Sequence, residues 1–231
     1  MPRKARGSRK ARESRKNSFT DKLNFDYKRN KEMYIVIGVM VLLIILFAAF
    51  YNIFQSFSSF EYNGLKFTRE KIGSTLFYHH SYFYDVGQGK TNQYNLYLRY
   101  DPRKNNVPIE GEITFPSQGS KVYISVNTSE LVKCNESILA AAGIADFIAG
   151  NLFKVVGAVP DRAEANSNNL TYATCGTYPL AMTILLTGGN ETKVTKTGKC
   201  YIISSSNCEI LKAVEKFEVQ SILDARERTG V

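Results

Sequence analysis

The 231-residue chain carries a formal net charge of +9, and that excess sits at one end. Residues 1–31 hold twelve Lys or Arg against Glu13, Asp21 and Asp26, whereas the other 200 residues hold eighteen charges of each sign. The neutral bulk of the chain therefore offers no basic field for a nucleic acid.

The tail repeats short basic clusters: Arg3, Lys4, Arg6; then Arg9, Lys10, Arg12; then Arg15, Lys16. It has almost no apolar content, so residues 1–32 read as a disordered cytoplasmic tail. Two uses fit it. It sets membrane topology and rests on anionic lipid headgroups, or it contacts RNA through phosphate neutralisation.

Residues 33–54 read MYIVIGVMVLLIILFAAFYNIF, with no charge. Twenty-two residues at about 1.5 Å each make a helix of about 33 Å, matching a hydrocarbon core of about 30 Å. Tyr34 and Tyr51 stand near its ends, where such rings prefer the interface. Basic residues on the N-terminal side place that side in the cytoplasm and residues 55–231 outside. A cleaved signal peptide has a shorter apolar region and a small-x-small site; here Ala48-Ala49 is followed by Phe50 and Tyr51. An uncleaved anchor is expected, with a short linker over 55–59 and an outer domain over 60–231 that stays near the membrane.

The outer segment carries marks of an oxidising compartment. Its sequons begin at Asn127, Asn135, Asn169 and Asn190, and no sequon lies in the tail; together they suit glycosylation. All four cysteines (Cys134, Cys175, Cys200, Cys208) also lie there. Two disulfides are expected. Three pairings are possible, and spacing favours Cys200–Cys208 as a local clasp with Cys134–Cys175 as the longer loop. Zinc is the competing use, but no CxxC pair exists and the two histidines are remote in sequence.

Strands are expected at 60–67, 75–86, 92–100, 112–115 and 121–126, from aromatic content and alternation. Residues 137–153 are apolar nearly all round and read as a core helix ended by Gly150-Asn151. A strand over 154–159 and an exposed loop over 161–169 follow. Residues 182–187 and 193–195, joined through Gly188-Gly189-Asn190, resemble a hairpin, and 200–204 extends the sheet. Ser206-Asn207-Cys208-Glu209 fits a capping box opening a last helix, with Ile210, Leu211, Val214, Phe217, Ile222 and Ala225 on its apolar side. The class is α+β: a largely antiparallel sheet packed by two main helices.

His79-His80 is the most conspicuous chemical feature. Neighbours on a strand point to opposite faces, so the pair does not chelate one metal, and structural roles are the simpler account. An aromatic ligand platform of His79, His80, Tyr82 and Tyr84 is the functional alternative. No P-loop, G-x-S-x-G, H-E-x-x-H or dinucleotide fingerprint occurs, so neither a cofactor nor a metal is implied. Carboxylates such as Asp146, Asp161 and Glu164 have no spacing that pairs them.

The stretches Tyr94-Asn95-Leu96-Tyr97-Leu98-Arg99-Tyr100-Asp101-Pro102-Arg103-Lys104-Asn105-Asn106-Val107-Pro108 and Asn207-Cys208-Glu209-Ile210-Leu211-Lys212-Ala213 resemble segments of uncharacterised anchored envelope proteins of small-genome archaea. The resemblance implies a cell-envelope location and transfers no functional residue. The expectation is a single-pass binding or structural protein of the envelope, joined to another envelope protein and to lipid through 33–54. The alternatives are an anchored, hydrolase-like enzyme acting through His79, His80 or a carboxylate pair, and a membrane tether recruiting RNA or ribosomes through the tail.

Overall fold

The computed structural model describes residues 33–50, 58–87, 89–131 and 134–230. The basic tail, the end of the apolar run (51–54) and linker residues 55–57 lie outside the described residues. The first element, α1 (Met33–Phe50), has 18 residues and a mean hydropathy of 3.0. It is long and apolar enough to cross a membrane.

Residues 58–230 form a separate compact unit with two sheets. The first sheet is antiparallel and runs in chain order: β1 (Ser59–Tyr62), β2 (Leu65–Ile72), β3 (Thr75–Asp85), β4 (Thr91–Leu98). The stretch expected as one strand over 60–67 is two. Asn63 and Gly64, both with positive φ (48° and 78°), reverse the chain between β1 and β2. That is the Asn-Gly hairpin signal, which aromatic density hid. Strand alternation puts Leu65, Phe67, His80, Leu96 and Leu98 on the buried face and leaves Phe77, His79, Phe83 and Tyr97 on the other.

The second sheet has seven strands, ordered β5-β10-β11-β9-β6-β7-β8. Its elements are β5 (Ile109–Glu110), β6 (Lys121–Val126), β7 (Lys154–Val159), β8 (Thr171–Tyr172), β9 (Met182–Gly188), β10 (Lys193–Thr197) and β11 (Cys200–Ser205). The α+β class holds, and the antiparallel component is the first sheet. In the second, every pairing but β10 with β11 is parallel. Parallel neighbours need crossovers, and these are α2 (Thr128–Leu131) with α3 (Ser137–Gly150) after β6, and α4 (Arg162–Ser167) after β7.

Several local expectations change. β9 and β10 do not form a hairpin, because β11 lies between them; the tight turn is Gly198-Lys199, with Gly198 at φ 61°. Residues 161–169 contain α4, whose first turn is capped by the Asp161 carboxylate accepting from Glu164 N–H at 2.7 Å. Residues 112–115 are not a strand. Their backbone is held by side chains instead: Ile113 N–H donates to Asp224 (2.6 Å) and Thr114 N–H to the Tyr201 hydroxyl (2.7 Å). The last helix, α5 (Ile210–Thr229), starts without a capping box. Asn207 and Cys208 have positive φ, and the Glu209 carboxylate turns to Thr192 and Lys212.

α3 and α5 pack on each other and form a middle layer. One side meets the second sheet, as in the edge contact of Phe217 with Tyr201 (5.5 Å). The other meets the first sheet, as where Tyr94 packs on Phe147 (5.8 Å). A helix between two sheets needs apolar surface nearly all round, which explains α3. Two disulfides, Cys134–Cys208 and Cys175–Cys200, brace the unit. The pairing expected from spacing is overturned: Cys200 opens the extended β11, at about 3.3 Å of rise per residue, which carries Cys208 beyond bonding reach.

Candidate functional site

A cavity of about 730 Å³ lies against the buried face of the first sheet. Its origin is a mismatch of strand lengths. The β2–β3 register sets Thr68 opposite His79, so β2 reaches its turn where β3 reaches Tyr82. From there to Asp85 β3 has no neighbour on that side. The C-terminal parts of α3 and α5 roof the space that results, and Leu65, Phe115, Phe147, Phe153 and Ile222 make its wall mostly apolar.

His80, Tyr82 and Tyr84 line this cavity from alternate positions of β3. His79 does not join them. It lies on the opposite face, stacked on Tyr97 (4.5 Å, 11°), with Nδ1 2.7 Å from Glu70 Oε1 and Nε2 3.2 Å from Asn95 Oδ1. The proposed platform of four is thus three residues plus one bystander. Alternation predicted the division; which face would be hollow was not legible.

The polar atoms around the cavity are almost all engaged. Tyr82 donates its hydroxyl to Asn151 Oδ1 (2.9 Å), Asn151 Nδ2 donates to Phe147 O (2.7 Å), and Tyr84 donates to Gly150 O. Ser221 donates to Phe217 O (2.7 Å). Arg226 donates to Gly64 O (2.7 Å), and Arg228 donates to Glu112 (2.6 Å) and Ile113 O (2.9 Å). Among the buried ones, His80 is the exception. The residue is 8 % exposed, its Nδ1 lies 2.9 Å from Lys66 O, and its Nε2 has no hydrogen-bond partner among the described residues. A buried, unsatisfied acceptor or donor costs about 1–3 kcal/mol. Burial holds the His80 imidazole below its usual range, with Arg226 and His79 adding to the effect against the Lys66 hydrogen bond.

Nearby, α5 carries acids that sequence reasoning missed. Glu215 accepts the backbone N–H groups of Arg99 (2.7 Å) and Tyr100 (2.9 Å) beyond the end of β4. Burial pushes its carboxyl up to about 7, in spite of those two donors. Glu218 is buried and held well above the usual carboxylate range, by burial first and then by Glu215 and Asp146. Tyr94 donates to Asp146 (2.8 Å). On a helix read as one-sided, Glu215 and Glu218 would be assigned to solvent; only the second sheet-facing surface reveals their burial.

The other carboxylates have structural tasks. Asp161 caps α4, and Glu164 accepts from Thr128 (2.8 Å). No group of three His, Cys, Asp or Glu among the described residues is placed to hold a metal ion. A second depression of about 830 Å³, beside β5 and α5, is lined by polar and charged side chains, several of them engaged: Gln220 donates to Asp224 (2.6 Å), Arg228 to Glu112 and Lys216 to the Tyr62 hydroxyl.

The parallel strands change direction of progression between β6 and β9, where sheets of this kind often bind ligands. Here that crevice is filled. Glu130 accepts from the Thr187 hydroxyl (2.5 Å) and from Gly188 N–H (3.0 Å), and Asn127 Nδ2 donates to Thr187 (3.2 Å). Of the four sequon asparagines, Asn135, Asn169 and Asn190 are exposed and Asn127 is half-buried. No known protein family, curated protein or solved structure matches the chain.

Proposed function

We propose that the chain is a single-pass membrane protein that binds a small ligand in its outer domain. The basic tail faces the cytoplasm, 33–54 crosses the membrane, and 60–231 folds on the far side as part of the cell envelope. The apolar α1, the charge step at residue 31 and the two disulfides support this arrangement. The observation that carries the binding reading is the cavity itself: about 730 Å³, with a mostly apolar wall and His80, Tyr82 and Tyr84 along one side. Cavities of about 300–1,000 Å³ that are mainly apolar with few polar groups suit small molecules.

The test uses the full chain in lipid nanodiscs and a panel of small aromatic compounds, read by saturation-transfer NMR. Compounds that receive transfer from wild type should lose it in Ala225→Phe, which fills the cavity from α5. Transfer unchanged by that substitution would place binding elsewhere. Orientation is tested with a protease-cleavable tag on the tail in sealed, right-side-out vesicles: the tag should stay protected until the membrane is opened.

A further inference from the structure

We infer that the tip of the β2–β3 hairpin, residues 71–76, is a second membrane contact, which dips into the headgroup layer of the bilayer that 33–54 crosses. This rests on the reading of 33–54 as a membrane span and adds a lipid-binding site in the folded unit. The register of the first sheet isolates the tip. β1 pairs with β2 only as far as Ser59 opposite Thr68, and β4 with β3 only as far as Leu98 opposite Tyr78. The β2–β3 ribbon runs on past both, with Glu70 opposite Phe77, Lys71 opposite Leu76 and Ile72 opposite Thr75. Among the described residues, those three rungs have no strand on either side.

The composition of this overhang suits lipid better than water. Ile72 is 56 % exposed and Leu76 44 %, and a Cβ placed on Gly73 in the turn would meet nothing within 4 Å. Strand neighbours alternate, so Ile72 and Leu76 point to opposite faces of the ribbon. A protein covering one face would leave the other in water, whereas a bilayer surrounds an inserted tip. Exposed Lys71 can lay its stem along apolar surface and hold its charge among lipid phosphates. The acid of the tip, Glu70, is turned to His79 at 2.7 Å. Chain length supplies the reach. β1 runs antiparallel to β2, so the chain enters the unit at the end of the sheet where the tip lies. Ile72 stands four residues beyond Thr68, about 13 Å at strand rise. Five residues carry the chain from Phe54 to Ser59, at most about 18 Å. With Phe54 at the hydrocarbon edge and β1 along the bilayer normal, even a fully extended link leaves the tip about 5 Å from that edge. The headgroup layer is about 5–8 Å deep.

The chain contains no tryptophan, so a single introduced Trp reports its own surroundings. The full chain is reconstituted in vesicles of phosphatidylcholine and phosphatidylglycerol whose upper acyl chains carry bromine, a contact quencher of Trp, with unbrominated vesicles as the blank. Ile72→Trp and Leu76→Trp probe the two faces of the tip, and Phe47→Trp probes α1. Phe83→Trp is the water-facing reference: Phe83 is 69 % exposed and lies eight residues along β3 from Thr75, roughly 26 Å away. Both tip variants should be quenched by a ratio nearer to that of Phe47→Trp than to that of Phe83→Trp, and should emit at shorter wavelength than Phe83→Trp. Quenching at the tip no greater than at Phe83→Trp, or at one face of the tip alone, overturns the insertion while quenching of Phe47→Trp keeps the span. Absence of quenching at Phe47→Trp overturns both.

Discussion

Glu215 and Glu218 stand one turn apart on α5, both buried, yet they hold different partners. Glu215 accepts two backbone N–H groups; replacing it with Gln turns an N–H toward one of them. Glu215→Gln should cost about 1–3 kcal/mol, measured by chemical denaturation. Glu218 is held protonated by burial, so Glu218→Gln keeps its volume and removes only the ionisation. The sign follows from proton counts. Each carboxyl keeps its proton in the folded chain after the unfolded chain, with its ordinary pKa near 4.5, has released it. Stability is thus complete below about pH 4.5 and declines as pH rises, for Glu215 until about 7. The melting temperature should fall between pH 5 and pH 8, and Glu218→Gln should flatten that slope and exceed wild type at pH 8. A melting temperature that climbs over this range would contradict the burial argument. Gly150 offers a steric test: a Cβ there would overlap the Tyr94 ring, so Gly150→Ala should destabilise by about 1–3 kcal/mol.

Among elements, the disulfides illustrate what chain spacing hides. Cys208 follows Cys200 by eight positions, but the six residues from Cys200 onward form β11, and an extended strand separates its ends rather than joining them. The strand was legible; its incompatibility with the local clasp needed only the rise per residue. Likewise the order of β9, β10 and β11 depended on which neighbour β11 chose, which no pattern within a strand records. Cys134–Cys208 closes a separation of 74 residues and Cys175–Cys200 one of 25. Chain-entropy estimates give about 4.5 and about 3.5 kcal/mol respectively. Replacing the first pair with serines should therefore lower the melting temperature further than replacing the second. Non-reducing peptide mapping checks the connectivity directly. In the candidate site, the common direction of His80, Tyr82 and Tyr84 was readable from alternation, whereas the cavity they face depends on β2 stopping at Asn63-Gly64.

At the scale of the molecule, the middle helical layer explains the composition of both long helices: α3 is apolar around its circumference, and α5 buries acids as well as aliphatic side chains. The sequons can be ranked on the same structure. In cells with the transferase, Asn135, Asn169 and Asn190 should carry glycan, whereas Asn127, whose amide is engaged with Thr187 and Ser129, should stay bare; glycopeptide mass spectrometry measures the occupancy. α5 has a consequence in time as well as in space. Its side chains and backbone fasten Gly64 (through Arg226), Arg99 and Tyr100 (Glu215), Asn105 (Lys212 carbonyl) and Ile113 (Asp224), all more than 100 residues upstream. Those segments lack their partners until the ribosome has made α5. The unit over 58–230 therefore completes its fold only once α5 has been synthesised, and contacts of such long sequence separation make that final step slow.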